Sequence, residues 1–547
     1  MSIQPASFLV VLTLWFLPYS ALGQTTQWIS LGSSTEDRLR TRQVMGQETT
    51  EGYLLRTASV LSTPLDSMQA PIDQGVRWRF DVLPVETHVV WNSDIPFSKN
   101  DGALWAGRGV NTLHRVGFRT TYKALQIIFA PELTHSQNRP FPIFEGADPD
   151  RSRFSSPWYV GRTSADLPLR FGDQRLTAFN FGQSSVTVAY RGLSGGLSNE
   201  SMWWGPGVRN ALVLSNHAQS IPHVFVRMNR PINTSLGTLE GRIIVGTLTE
   251  SLFFDKVFKN DKRSVSGGVV TLTMPFDPNL TFGIERLVVR PMEALTSLPG
   301  RAADLLVQWD ELVCVKPPRV VGEGCNPRSD HLTAVFGRWI FPESGFEMYA
   351  EWSRTEMPGS VREWLTTPHH TQGYTIGLQW VGGNNSDDSY LRAQLELTGL
   401  DQNRVRFDRP EPPDYYSGRA TPQGLTQRGQ VLGAAIGPGG SSEWLAIDYF
   451  RKGRSAGGFL SRTRWDNDAL FRQKHVNFFR HDFSLMAGVR GSFTLGTLEI
   501  QGEWTVAKRF NYLFQQGRSN PGGFRTINIW NKTLDLYVSK HWPRGEA

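Results

Sequence analysis

Residues 373 to 398 read GYTIGLQWVGGNNSDDSYLRAQLELT, and this stretch decides the fold. Tyr374, Ile376, Leu378 and Trp380 fall on one side of a period-two pattern, with Gly373, Thr375, Gly377 and Gln379 on the other. A polar turn at Gly382-Gly383-Asn384-Asn385-Ser386 follows, and then Leu391, Ala393, Leu395 and Leu397 alternate with Arg392, Gln394, Glu396 and Thr398. Successive side chains of a strand point to opposite faces. The stretch therefore reads as a hairpin with one apolar face and one face carrying full charges. A soluble β-sandwich or propeller also alternates, so alternation alone leaves both it and a membrane barrel open.

The pattern recurs outward from this hairpin. Leu332 to Ile340, a Pro342-Glu343-Ser344-Gly345 turn and Phe346 to Trp352 form another hairpin, with Glu347, Tyr349 and Glu351 sharing a face. Near the C-terminus Leu498, Ile500, Gly502 and Trp504 oppose Glu499, Gln501, Glu503 and Thr505, and Leu534, Leu536 and Val538 oppose Asp535, Tyr537 and Ser539. The apolar faces end repeatedly in Trp, Tyr or Phe, as interfacial girdles do. Short turns alternate with much longer segments such as 401 to 442, which matches the short inner turns and long outer loops of outer-membrane barrels. No fixed repeat of a propeller blade's length is visible. The pattern predicts an all-β, transmembrane barrel with antiparallel strands. On that reading Leu395→Arg on the lipid face costs ~2–4 kcal/mol near the midplane, and the same change at Gln394 far less.

Composition agrees. The chain has 547 residues, 12% aromatic and 20% charged, which excludes a disordered chain. After the first 25 residues no run is long enough for a membrane helix. Phe8 to Leu17, FLVVLTLWFL, followed by Ala21-Leu22-Gly23, predicts a signal peptide over 1–23. Residues 24–74 form a polar, partly helical segment expected in the periplasm, with one helix over 34 to 47 capped by Ser34 or Thr35. Residues 75–547 form the barrel. The two cysteines, Cys314 and Cys325, are expected to form a short-loop disulfide in an oxidising compartment. They are too few for structural zinc, and no metal or cofactor is expected.

Four further blocks, ESMWWGPGVRNALVLSNHAQSIPHV from Glu200, TFGIERLVV at 281–289, GFEMYAEWSRTE at 345–356 and RGQVLGAAIGPGG at 428–440, occur in register. Together they resemble the Wzi-type capsule-assembly family of outer-membrane proteins, over roughly residues 75 to 540. The resemblance implies an outer-membrane barrel of about 18 strands and a helical periplasmic N-terminal part. It also implies a lectin-like role in anchoring capsular polysaccharide at the bacterial surface. One departure is that Trp542 is followed by Pro543-Arg544-Gly545-Glu546-Ala547, whereas many such barrels end on an aromatic residue.

Candidate sugar-binding residues follow from their chemistry. Trp203 and Trp204 offer indole faces to the C–H face of a sugar ring. Arg209, Asn210, Asn216 and His217 offer hydrogen bonds to hydroxyls or carboxylates. Arg404 and Arg406, with Tyr415 and Tyr416, form a second set in a long loop, since Arg forks suit an acidic polymer. The competing reading is that the two Trp pack a turn inside the barrel and that the loop charges pair among themselves. No hydrolase or P-loop motif is present, so a non-enzyme is expected. The net charge of +7 is too mild for nucleic acid. The expected partners are capsular or other acidic exopolysaccharide and outer-membrane lipid, with the chain a monomer. The alternative function is a porin for small solutes or sugars, which an open lumen would favour.

Overall fold

The computed structural model describes residues 28–62, 78–144, 148–159, 164–292, 294–307, 312–314, 325–355, 361–366, 369, 371–384, 389–402, 414–472, 480–514, 516–517 and 525–542. The expected signal peptide, Arg404 and Arg406 lie outside them.

Among the described residues the wall is a closed sheet of eighteen antiparallel staves. In chain order they are β1 (Arg79–Val82 and Val85–Asn92), β2 (Gly109–Arg115 and Phe118–Tyr122), β3 (Leu125–Phe129 and Glu132–Ser136) and β4 (Leu176–Asn180 and Ser185–Tyr190). Next come β5 (Leu193–Ser198), β6 (His223–Met228 and Ile232–Thr234), β7 (Gly237–Thr249), β8 (Lys262–Met274), β9 (Asp277–Pro291) and β10 (Asp330–Phe341). The circuit ends with β11 (Phe346–Arg354), β12 (Gln372–Asn384), β13 (Ser389–Gly399), β14 (Ser441–Arg451), β15 (Arg454–Trp465), β16 (Asp482–Leu495), β17 (Leu498–Phe510) and β18 (Ile529–Lys540). Each pairs with the next, and β18 returns to β1 with Val85 opposite Lys540 and Asn92 opposite Thr533. Closure leaves no unpaired strand edge, the condition for a sheet to stand in hydrocarbon. The barrel expectation is borne out.

Register explains the alternation. Leu378, Leu395 and Leu445 are cross-strand neighbours, and all face outward. Ile376 and Ile447 are 46% and 53% exposed, far beyond what a water-facing surface tolerates when repeated round a whole circumference. The inward set, Arg338, Glu347, Glu351, Arg392, Glu396 and Asp448, is almost fully buried. Trp542 docks on the barrel's closing seam, its Nε1 donating to the Leu83 carbonyl at 3.0 Å.

The lumen is filled from both ends. Helix α1 (Ser34–Val44) enters at the short-turn end and is capped by Ser33, whose Oγ accepts from Glu36 N at 3.2 Å, one residue before the expected cap. Its polar face meets the wall: Arg40 forks onto Glu347 at 2.6 and 3.2 Å, and Arg392 donates to Asp37 at 2.7 Å and Asp448 at 2.8 Å. From the long-loop end, the 199–222 loop descends until Trp203 and Trp204 form a two-residue ladder with Arg56 and Leu55. Gly205 is in the left-handed region at φ 79°, and a Cβ there would lie 3.0 Å from a Glu351 oxygen. Only glycine admits this approach of backbone to carboxylate.

This filling changes the Gln394 expectation. Gln394 is buried among Gln379, Arg490 and Arg392, and its Oε1 accepts from Arg490 at 3.0 Å. An arginine there adds a buried cation to a packed network instead of facing water.

The cysteines lie on the paired pieces Leu312–Cys314 and Cys325–Pro327, with Cys314 directly opposite Cys325.

Candidate functional site

The long loops converge at one mouth of the barrel and enclose a cleft of about 270 Å³. Its walls are aromatic: Trp105, Phe141, Trp158, Tyr159, Trp465, Tyr512 and Phe514, from three separate loops and the end of β15. Each ring is fixed by a neighbour. Trp158 meets Phe514 edge-on at 5.6 Å, Trp465 Nε1 donates to Ser484 Oγ at 2.8 Å, and Trp105 Nε1 donates to Asn138 Oδ1 at 3.2 Å. Tyr512 OH donates to the Pro142 carbonyl at 3.0 Å. The turn bearing Tyr512 holds Asn511, Leu513 and Phe514 at φ 52°, 52° and 55°. Left-handed non-glycine residues are uncommon and cluster at ligand clamps.

The charges in the cleft are matched. Arg509 forks onto Asp482 with two 2.7 Å bonds and lies over Trp465 and Tyr512 at 5.0 and 4.8 Å. Asp482 also accepts from Leu513 N at 2.8 Å, and Asp466 accepts from Tyr159 OH at 2.6 Å. Three other polar atoms in the cleft wall are buried and have no hydrogen-bond partner among the described residues: Ser156 Oγ, Gln430 Nε2 and His217 Nδ1. Burial pushes the His217 imidazole down to about 4, so the ring is neutral near pH 7. Stranding a buried hydrogen-bonding group costs ~1–3 kcal/mol. Three in one cleft leave its wall with hydrogen-bonding capacity that the protein itself does not fill.

Of the residues singled out in the sequence, His217 lines this cleft. Trp204 is fully buried in the apolar core with Leu212, Ile244 and Leu287. Trp203 donates from Nε1 to the Gly207 carbonyl at 3.2 Å and lies under Arg56. Arg209 stacks over Trp444 at 5.0 Å, Asn210 Nδ2 reaches Thr398 and Ser442 at 3.3 Å, and Asn216 Nδ2 donates to the Asn100 carbonyl at 3.1 Å. Tyr415 is fully buried with its hydroxyl against Ser353 Oγ, and Tyr416 OH donates to the Leu212 carbonyl at 2.7 Å. Trp203, Arg209 and Asn216 line a separate lumenal cavity, whereas Trp204, Tyr415 and Tyr416 are fully buried. The cleft aromatics carry no local spacing that would reveal them. The nearest signal is Trp158-Tyr159 in a polar segment of a chain predicted to be a barrel.

Comparison with known proteins agrees with this architecture. The family model described as capsule assembly protein Wzi matches residues 88–291. Among solved structures the chain is similar to Wzi of Escherichia coli, described as an outer-membrane, carbohydrate-binding β-barrel involved in group 1 capsule assembly. The match has 10% identity, covers 83% of this chain and 84% of that one, and has a TM-score of 0.52. Pseudomonas aeruginosa OccK8 (OprE), at 8% identity, matches over 85% of this chain and 97% of its own with a TM-score of 0.38. Acinetobacter baumannii OccAB2, also at 8%, matches over 84% and 97% with a TM-score of 0.38. No curated protein sequence matches the chain. The resemblance seen in the sequence is thus borne out: residues 88–291 match the Wzi capsule-assembly family model, and the chain as a whole shares the outer-membrane barrel fold.

Proposed function

We propose that the protein binds capsular polysaccharide at the outer-membrane surface through the mouth cleft and holds it there without cleaving it. The cleft's combination of rigid aromatic walls with three unpartnered buried polar atoms carries this reading. Aromatic faces match the C–H faces of sugar rings, and Ser156, Gln430 and His217 match their hydroxyls. The matched charges of Arg509 and Asp482 favour contact with uncharged hydroxyl-bearing units. The acidic groups of a capsular polymer then lie outside the cleft. Family match and fold support the same role in capsule assembly. The closed wall has no edge that requires a second copy, in keeping with a monomer.

The porin reading is less well supported, because helix α1 and the 199–222 loop meet inside the lumen. A direct test is titration of the folded full-length chain with capsule fragments. Trp158→Ala should weaken binding by ~1–2 kcal/mol, about five- to thirtyfold. Unchanged binding in Trp158→Ala and in Trp465→Ala, with both barrels folded, would move the glycan site elsewhere.

A further inference from the structure

His88 and Asp535 lie on β1 and β18, the two staves that close the barrel. His88 is opposite Tyr537 and Asp535 opposite Val90, so both side chains enter the lumen close together. Asp101 arrives from the 93–108 loop, which is held inside by Gly102 N donating to the Asn216 carbonyl at 2.8 Å. A ring nitrogen of His88 and one oxygen from each carboxylate lie within 4.8 Å of one another. All three residues line a lumenal cavity of about 260 Å³, separate from the mouth cleft.

Their surroundings orient them. Asp101 Oδ2 accepts from Ser98 Oγ at 2.7 Å and Lys99 N at 3.0 Å, which fixes the carboxylate while leaving Oδ1 available. His88 Nε2 and Asp535 Oδ1 share a hydrogen bond at 2.8 Å, and an ion bound by both atoms would take the place of the shared proton. The Lys99 ammonium is engaged by Glu503. Asn100 lines the same cavity; its Nδ2 donates to the Arg209 carbonyl at 3.0 Å, and its Oδ1 is buried without a partner among the described residues.

We propose that His88, Asp101 and Asp535 bind a divalent first-row metal ion, with Asn100 Oδ1 or cavity water completing its shell. One imidazole with two carboxylates suits Zn²⁺ or Mn²⁺ better than Ca²⁺ or Mg²⁺, which favour all-oxygen shells. The ion ties the 93–108 loop to the closing seam. Through Asn216 and Arg209 it also braces the 199–222 loop. The site was not legible as a motif because its third ligand lies at the far end of the chain.

The test uses the folded full-length chain in detergent, purified on a histidine-free tag, stripped with EDTA and dialysed against Zn²⁺ or, separately, Mn²⁺. Elemental analysis should find one ion per chain. Asp101→Asn and His88→Gln should each weaken retention about tenfold or more. Asp101 is on a loop, so its variant keeps the barrel folded, as judged by heat-dependent gel mobility, even where the strand variant fails. Loss of the bound-Mn²⁺ electron paramagnetic resonance signal in Asp101→Asn would support the site. The proposal is overturned if the folded wild type retains neither ion, or if Asp101→Asn retains as much as wild type.

Discussion

Glu396→Ala tests how the lumen is sealed. Glu396 projects inward from β13 and accepts from the backbone N–H groups of Val208, Arg209 and Asn210 at 2.6, 3.0 and 2.9 Å. It also accepts from Tyr349 OH at 2.7 Å. One carboxylate thus holds the turn of the 199–222 loop at mid-lumen. Removing it strands four buried donors, and at ~1 kcal/mol apiece the sealed arrangement loses about 4 kcal/mol relative to any state in which the loop lifts and water reaches them. At 1.4 kcal/mol per tenfold, the lifted population rises roughly a thousandfold. Glu396→Gln keeps one acceptor and turns an amide N–H₂ toward the donors, so its effect is smaller but in the same direction. The assay is single-channel recording in planar bilayers, with limited proteolysis of the loop in parallel. Wild type should be silent, Glu396→Ala should show frequent openings and faster cleavage within 199–222, and Glu396→Gln should fall between. A folded Glu396→Ala barrel that stays silent and is cleaved no faster than wild type would refute the role given to this carboxylate. Steady high conductance in the wild type would instead favour a porin.

The outward face of β13 is tested by Leu395→Arg, which should lower unfolding free energy in lipid vesicles by ~2–4 kcal/mol; a change below about 1 kcal/mol would place Leu395 off the lipid surface. Gln394→Arg should cost a similar amount, because the guanidinium joins Arg392 and Arg490 in a packed lumen instead of meeting water. The His217 ring is held near 4 when folded, whereas an unfolded histidine protonates near ~6.5, so the unfolded chain takes up its proton first as pH falls. Its contribution is therefore complete above about pH 6.5 and declines down to about pH 4. Denaturant titrations should show that slope flattened in His217→Asn. Cys314 and Cys325 should resist alkylation in the unreduced, denatured chain and take two labels after reduction, as judged by intact mass.

Much of the wall was legible because strand faces are set by neighbours two residues apart. The hairpin at Pro342-Glu343-Ser344-Gly345 is observed as β10 and β11 around residues 342–345, and the inward grouping of Glu347, Tyr349 and Glu351 follows from the same parity. The lumen was less legible. In the sequence, Trp203 and Trp204 beside Gly205-Pro206-Gly207 read as a packed turn first and as a ligand platform second. The choice depends on Leu55 and Arg56 arriving from the opposite end of the barrel. The polar helix α1 likewise reads as a free periplasmic segment until Glu347, Arg338 and Arg392 supply its partners.

The alternation of apolar and charged side chains, together with aromatic strand ends and short turns alternating with long loops, predicted an antiparallel barrel, because a period of two is local and survives without knowledge of any distant contact. Which long loops fold inward, which aromatic rings meet at the mouth, and that His88, Asp101 and Asp535 converge were decided only by closure of the sheet. Closure sets β1 beside β18 and brings the long loops to one rim, so groups hundreds of residues apart become neighbours by geometry that no sequence spacing encodes.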